Sequence, residues 1–402
     1  MFGWEFPPFS SGGLGTACHG LTKGLSNNGT EVTFVIPKAP ENASCSHVKL
    51  LVADGLKNMS FRKIEISSTL VPYVSSEYYK EQVFSRLARL GKGNHGAIYG
   101  KNLFEEVMRY SQQARIIAEN EEFDVIHAHD WMTYRAGIEA KKVSGKPLVL
   151  HIHATEFDRT GGHPNQAVYD LEREGFHACD RIIAVSNYTK NMVVKHYAVP
   201  ESKVKVVHNA VEFRTPAKKP HRLSDTDKIV LFLGRITIQK GPDYFLDAAK
   251  KVLDRESNVK FVVAGSGDME GYMIERAAQL GIANKVLFTG FLSGNDVDKA
   301  YQMAHLYVMP SVSEPFGIAP LESLRNQTPV LISKQSGVSE VLQNAMKVDF
   351  WDTDQMANKI IASVKYPALH NTLRDEGINE LQKFSWDDSA TRCIEVYHSV
   401  LG

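Results

Sequence analysis

Between residues 228 and 332 short β-branched runs alternate with amphipathic stretches of helical length, and no other feature of this 402-residue chain constrains its fold so strongly. The runs 228–233, 259–264, 285–288, 305–309 and 330–332 read as strands. The stretches 242–254, 269–280, 297–304 and 320–326 read as helices. These strands are too continuously apolar to be buried on one face only, which implies a parallel sheet with helices above and below. The expected class is α/β, with doubly wound sheets.

The first half follows the same pattern with interruptions. Residues 13–26 form a helical stretch after a glycine-rich turn, and 31–36 reads as a strand. Four later strands are expected at 124–128, 147–153, 181–185 and 203–207. Between 37 and 120 the pattern is less regular, suggesting extra strands and a long helix near 103–118. A first strand made only of residues 1–6 is short for a doubly wound domain, so a few residues are expected ahead of it. A chain of this length exceeds what one hydrophobic core usually serves. Residues 212–227 carry Pro216, Pro220 and mixed charges without apolar periodicity and read as a linker between domains 1–211 and 228–385. A last helix starts near Trp386, with Ser385 as its cap and Asp387 and Asp388 complementing its positive end.

Four groups of residues are candidates for chemistry. In the first, an apolar strand ends at Pro310 and Ser311-Val312-Ser313-Glu314 emerges at its carboxyl end, where open parallel sheets bind ligands. Pro320 suits the first turn of the following helix, and N–H groups around Gly317, Ile318 and Leu321 would then favour an anion. Gly317 admits close approach of a ligand. Glu314 is placed to accept hydrogen bonds from sugar hydroxyls and Glu322 to grip a ribose diol; the plainer alternative is a solvated Glu314 and a Glu322 that only offsets the helix dipole. The second group is Gly234-Arg235-Ile236 with Lys240-Gly241, where two cations at a strand end suit a departing pyrophosphate. Gly265-Ser266-Gly267 ends the next strand in a tight turn.

The third group is Ser10-Ser11-Gly12-Gly13-Leu14-Gly15, whose adjacent glycines expose N–H groups to an anion. Its spacing matches neither the dinucleotide fingerprint nor a Walker loop. The fourth is His127-Ala128-His129-Asp130-Trp131 with His151-Ile152-His153. Alternation puts His127 and His129 on one side, and His151 and His153 on one side of theirs. Hydrogen bonding to a polyhydroxylated ligand is favoured over metal ligation, which lacks a completing cysteine or carboxylate spacing. His127 and His151 read more simply as satisfied histidines at a sheet edge.

Lysine plus arginine equal aspartate plus glutamate at 46 each, a balance that argues against a general nucleic-acid binder. No run of 18 apolar residues is present, and the N-terminus lacks signal-peptide character, so a cytoplasmic protein is expected. The scattered Cys18, Cys45, Cys179 and Cys393 read as free thiols, and triplets such as Asn187-Tyr188-Thr189 as chance glycosylation matches. Three Asp-x-Asp triplets, at 225–227, 296–298 and 352–354, read as caps or solvated loops rather than a metal site.

In this order the four groups resemble glycosyltransferase family 4, retaining enzymes of the GT-B architecture, and are similar to the neighbouring glycogen, starch and sucrose synthases. The resemblance covers nearly the whole chain and is most specific in Gly234-Arg235 with Lys240-Gly241, Ala264-Gly265, Gly290-Phe291 and Glu314 to Glu322. It implies two Rossmann-like domains facing across a cleft, with helix 386–402 crossing back onto the first. It implies that Arg235 and Lys240 bind the donor diphosphate, beside Gly234 and Gly265. Glu314 would hold the transferred sugar, with backbone at Phe316, Gly317 and Ile318, while Glu322 would bind the ribose and Leu292 lie near the base. The Gly12-Gly13-Leu14 loop would approach the phosphates, His153 the sugar, and Asp130 would lie on the acceptor side, with the segment 155–160 near it. No metal or other cofactor is implied. The synthases that use ADP-glucose carry Lys-Thr-Gly-Gly-Leu where this chain has Ser10-Ser11-Gly12-Gly13-Leu14, which speaks against ADP-glucose and moves the chain towards family 4 proper; a UDP-sugar is the expected donor. The expected activity is transfer of a hexosyl, by preference glucosyl, group to a carbohydrate acceptor such as a glucan or small sugar. A sugar phosphorylase, a nucleotide-sugar epimerase and a catalytically silent sugar-nucleotide-binding protein are the rival readings.

Overall fold

The computed structural model describes residues 1–7, 12–38, 45–53, 101–213 and 228–402. In the first domain β1 (Thr33–Ile36), β2 (Lys49–Val52), β3 (Ile126–His129), β4 (Leu148–Ile152), β5 (Arg181–Ala184) and β6 (Val204–Val206) are all parallel. Phe2 forms single parallel bridges to Val35 and Ala128 and joins the β1 and β3 edges. The spatial order is thus β2-β1-Phe2-β3-β4-β5-β6. The strand expected over 1–6 contracts to this one bridging residue, and at Gly3 the backbone passes so close to Phe34 that a Cβ would lie 2.3 Å from its ring. Every residue of β3 and β4 is buried, as a sheet covered on both faces requires.

The second domain holds β7 (Lys228–Leu233), β8 (Val259–Ala264), β9 (Val286–Gly290), β10 (Leu306–Met309), β11 (Val330–Ser333) and β12 (Met346–Val348), in the order β12-β11-β10-β7-β8-β9. The direction of winding reverses between β7 and β10, and the crevice outside their carboxyl ends is where such sheets place ligands. In the first domain the reversal falls between Phe2 and β3. Both switch points therefore carry residues singled out above. Among the described residues four buried clusters form: Leu148, Leu150 and Phe176 centre one in the first domain, Val230, Phe245 and Phe261 one in the second, Leu21 and Phe34 pack with Cys393 of the last helix in another, and Val185 and Val211 join Leu231 and Phe316 in one shared by both domains.

Beyond the expected elements, the helices Thr353–Lys365 and Pro367–Leu381 complete the second domain. The last helix, Trp386–Leu401, leaves it and packs on helix Gly13–Asn27 of the first. Glycines make that approach: a Cβ at Gly20 would fall 2.2 Å from the Trp386 ring, and one at Gly24 2.3 Å from the Trp386 carbonyl oxygen. The Ser385 hydroxyl accepts from the Asp387 N–H at 3.1 Å, as its capping role requires. Of the presumed linker only Glu212 and Phe213 fall among the described residues; 214–227 lie outside them.

Candidate active site

At the end of β7 the chain runs through Gly234 and Arg235 into a short turn, Ile238–Lys240, and then helix Pro242–Leu253. The turn ends at Gly241, whose φ of 62° and whose approach to the Pro310 carbonyl, 2.2 Å from where a Cβ would stand, both require glycine. This contact brings the β7 and β10 exits together. Lys240 Nζ consequently reaches Glu314 Oε2 at 2.5 Å, and the Ser311 hydroxyl donates to the same oxygen at 3.2 Å. Glu314 is only 7% exposed, and no group among the described residues bonds its Oε1. The two residues assigned to sugar and diphosphate thus form one charged pair, rather than the solvated carboxylate of the plainer reading.

Arg235 donates to Gln239 Oε1 at 3.3 Å, and Gln239 donates onward to the Ser313 carbonyl at 3.2 Å. The guanidinium and the Glu314 loop are thereby tied through one buried amide. Gly265, with φ 137°, crosses Gly234 so tightly that a Cβ would sit 1.9 Å from its carbonyl oxygen. The glycine requirement at Gly265 is therefore set by backbone packing as well as by any ligand. Phe316 and Leu14 are buried in cores, so only their backbone can meet a donor; Ile318 and Leu292 pack against the same core as Phe316. Gly317 has φ 100°. Glu322 lies in the first turn of helix Ala319–Arg325 and accepts from Tyr301 at 3.4 Å. Gly12 and Gly13 are exposed at the start of helix Gly13–Asn27, Gly12 as its cap; Ser10 and Ser11 lie outside the described residues.

In the first domain the four histidines form a single stack. Ring centroids are 4.3 Å apart for His127 and His129 and 4.4 Å for His151 and His153. His129 Nδ1 lies 3.1 Å from His153 Nε2, and His127 Nδ1 lies 2.6 Å from the Tyr397 hydroxyl of the last helix. Burial pushes all four imidazoles below their ordinary pKa, in His153 against the pull of Asp130. His151 departs from expectation: both its ring nitrogens are buried without a partner among the described residues.

Asp130 also departs from expectation. It is fully buried, with φ 59°, and one carboxylate oxygen accepts from the His153 N–H at 2.7 Å while the other accepts from Arg159 at 3.2 Å. It holds the loop that presents His153, and both its carboxylate oxygens are occupied within the chain rather than open toward an acceptor. The segment Thr155–Arg159 is likewise no open acceptor floor. Thr155 and Asp158 form a capping box, and Arg159 sits among Asp130, Glu156 and Glu172.

Burial pushes the Glu172 carboxyl up to about 8, against the pull of Arg159. Its proton is retained in the folded chain at neutral pH and lost in the unfolded one, so folding takes up a proton between about 4.5 and about 8. This group's contribution to stability is fully present below that window and declines as pH rises through it. Urea midpoints are expected to fall between about pH 5 and about pH 9, and to fall less steeply in Glu172→Gln; equal slopes would remove Glu172 as the source.

The domains touch at the Glu314 loop itself. Ser313 donates to Asp158 at 2.5 Å and lies 2.9 Å from the Tyr188 hydroxyl, while Ser186 donates to the Pro315 carbonyl at 2.5 Å. Glu340 accepts from the N–H groups of Asn187 and Tyr188 and from the Asn187 side chain. Burial raises the Glu340 carboxyl, but the bonds from His208, Tyr188 and Asn187 outweigh it and hold it below the usual range. None of these contacts was visible as a site in sequence, and the triplet at Asn187 turns out to be an interdomain clasp. Of the Asp-x-Asp triplets, Asp352 caps a helix and Asp298 accepts from Arg325 and Asn326; Asp225 and Asp227 lie outside the described residues.

Two facing Rossmann-like domains, with a cationic strand end in the second and the first domain's switch-point loop before it, define a GT-B glycosyltransferase. The family comparisons agree. Glycosyltransferase Family 4 matches residues 11–214, and Glycosyl transferases group 1 matches residues 213–380. An uncharacterized glycosyltransferase of Methanocaldococcus jannaschii is 30% identical, over 99% of this chain and 97% of its own. Among solved structures, sucrose-phosphate synthase from Thermosynechococcus elongatus superposes with a TM-score of 0.73 at 17% identity, covering 98% of this chain and 94% of that one. Anabaena HepE in complex with UDP and glucose gives 0.69 at 16%, covering 99% of both. The chain belongs to the family 4 glycosyltransferases. Among the described residues no helix is long and apolar enough to cross a membrane.

Proposed function

We propose that this protein is a retaining hexosyltransferase that moves a glucosyl group from a UDP-sugar to a carbohydrate acceptor. What carries the reading is the Lys240–Glu314 pair beside Arg235 at the β7/β10 switch point. A fixed ammonium and guanidinium meet the charge that develops on a departing diphosphate, and the adjoining carboxylate, with one oxygen free, grips hydroxyls of the sugar. Glu322 takes the ribose, and His153, kept neutral by burial, faces the sugar from the other domain. The acceptor oxygen bonds to the anomeric carbon on the face from which the diphosphate leaves, and the departing phosphate oxygen takes the acceptor proton. This route calls on no enzyme nucleophile and no metal ion. The UDP preference is supported by Ser10-Ser11 in place of the lysine-bearing loop, and by the UDP and glucose bound to HepE. Four free cysteines suit the reducing cytoplasm.

A panel of nucleotide sugars offered with mono- and oligosaccharide acceptors tests the proposal, with NMR of the product anomer. An α-linked product from an α-linked UDP-hexose is expected. A β-linked product would sink the retaining assignment, a requirement for inorganic phosphate would point to a phosphorylase, and product formed without acceptor to an epimerase. Tight UDP binding without turnover across the panel would leave a silent binding protein.

A further inference from the structure

Helix Gly13–Asn27 and the start of the segment leading into β2 bring His19 together with Cys45 and His47. Their ligating atoms all lie within 4.8 Å of one another, and all three side chains are half-buried. Cys45 Sγ stands 3.3 Å from His47 Nδ1. Two ligands on one tetrahedral zinc ion are about 3.4–3.6 Å apart, from Zn–N of about 2.0 Å and Zn–S of about 2.3 Å. The Cys45–His47 spacing is already close to that value, and side-chain rotation of an ångström or so brings in His19.

The hydrogen bonds around His47 prepare it for ligation. The Thr22 hydroxyl donates to the Cys18 carbonyl at 2.8 Å, so its oxygen faces His47 Nε2, 3.0 Å away, as an acceptor. The Nε2 nitrogen then carries the proton and Nδ1 is left as a lone pair; Cys45 Sγ, 3.3 Å from Nδ1 and 3.9 Å from Nε2, lies over the ring face, so the Cys45 side chain must turn to meet that lone pair on a shared ion. A ring nitrogen fixed by an outer hydrogen bond while the other is left as a lone pair is the usual arrangement of a metal-binding histidine.

Two other clusters of histidine and cysteine are less suited. In the buried stack His127 and His129 lie within 19° of parallel, and His127 and His151 within 21°, so their lone pairs cannot converge on one point. In the group Cys18, His129 and His153 the two imidazoles already bond each other, and burial disfavours the Cys18 thiolate.

We infer that His19, Cys45 and His47 form a binding site for a borderline-soft divalent cation of the zinc class, with a fourth position open to solvent. The ion would tie the segment at Cys45 and His47 to the helix that starts at Gly13 and is capped by Gly12. This site is separate from the proposed transfer reaction, and its failure would leave that reading untouched.

Co(II) is the probe, added to the reduced, chelator-treated, tag-free full chain. One equivalent is expected to give thiolate-to-cobalt charge-transfer absorption and the visible bands of a tetrahedral ion, both displaced by Zn(II), which also raises the melting temperature. Cys45→Ser should abolish the charge-transfer band and weaken binding at least about tenfold, while Cys18→Ser keeps both. Should Cys45→Ser fail to fold by circular dichroism, His19→Gln serves instead, with the band retained and affinity lowered at least about tenfold. No band in the parent chain, a band that survives Cys45→Ser, an undiminished affinity in His19→Gln, or a band lost in Cys18→Ser would each overturn the inference.

Discussion

Replacing Lys240 with alanine is expected to lower kcat by about 10²–10³, the usual effect of deleting one preorganised group aimed at developing charge. The ammonium is held by Glu314 and Ser311 is bonded to the same oxygen, so little reorganisation is needed when the diphosphate departs. Affinity for UDP itself should fall by about 10–100-fold, since a charged hydrogen bond is worth about 1.5–3 kcal/mol. Glu314→Gln leaves Lys240 charged but removes its anchor, and should reduce kcat as well. Because the two act as a unit, the double variant should be little worse than the weaker single. Steady-state kinetics with a fixed donor make the comparison. A Lys240→Ala enzyme within about threefold of wild type takes Lys240 out of the reaction centre.

The largest stability change is expected at Arg159. Its guanidinium, 8% exposed, lies 3.2 Å from Asp130 and 3.1 Å from Glu172. Burial keeps Glu172 protonated at neutral pH, so the one cation faces the carboxylates of Asp130 and Glu156. Arg159→Met would leave the Asp130 charge buried and unpaired, a loss of about 3–5 kcal/mol in urea unfolding. Arg159→Lys should recover only part of this, because a single ammonium cannot span the carboxylates as the planar fork does. A cost below about 1 kcal/mol for Arg159→Met would mean that water, not the guanidinium, satisfies the cluster.

The architecture was largely legible in sequence because its strands are buried on both faces. Runs such as Lys228–Leu233 and Val259–Ala264 admit no other reading, and the reversal between β7 and β10 puts Arg235 and Glu314 at one crevice. The edge strand Met346–Val348 was too short to register, and helix Pro367–Leu381 mixes polar and apolar residues on every side. What sequence could not show were pairings. Ser313 and Asp158 are single polar residues 155 positions apart, and Asp130 looks catalytic until its two oxygens are seen to be occupied. Cys45 and His19 have no spacing that announces a shared site. The signal for such groups lies in the fold, not in any window of the chain.

The polypeptide passes between the two domains twice, once after Phe213 and again where Trp386 settles on Gly20 and Gly24. A body joined to its neighbour by one tether can swivel freely about it. With two tethers the easy motion is rotation about the line that joins them, and twisting out of that line is resisted. Domain opening should therefore swing like a door about a single axis, breaking the Ser313, Pro315 and Glu340 bonds together. The Glu314 loop would be released whenever the door is ajar and steadied whenever it shuts.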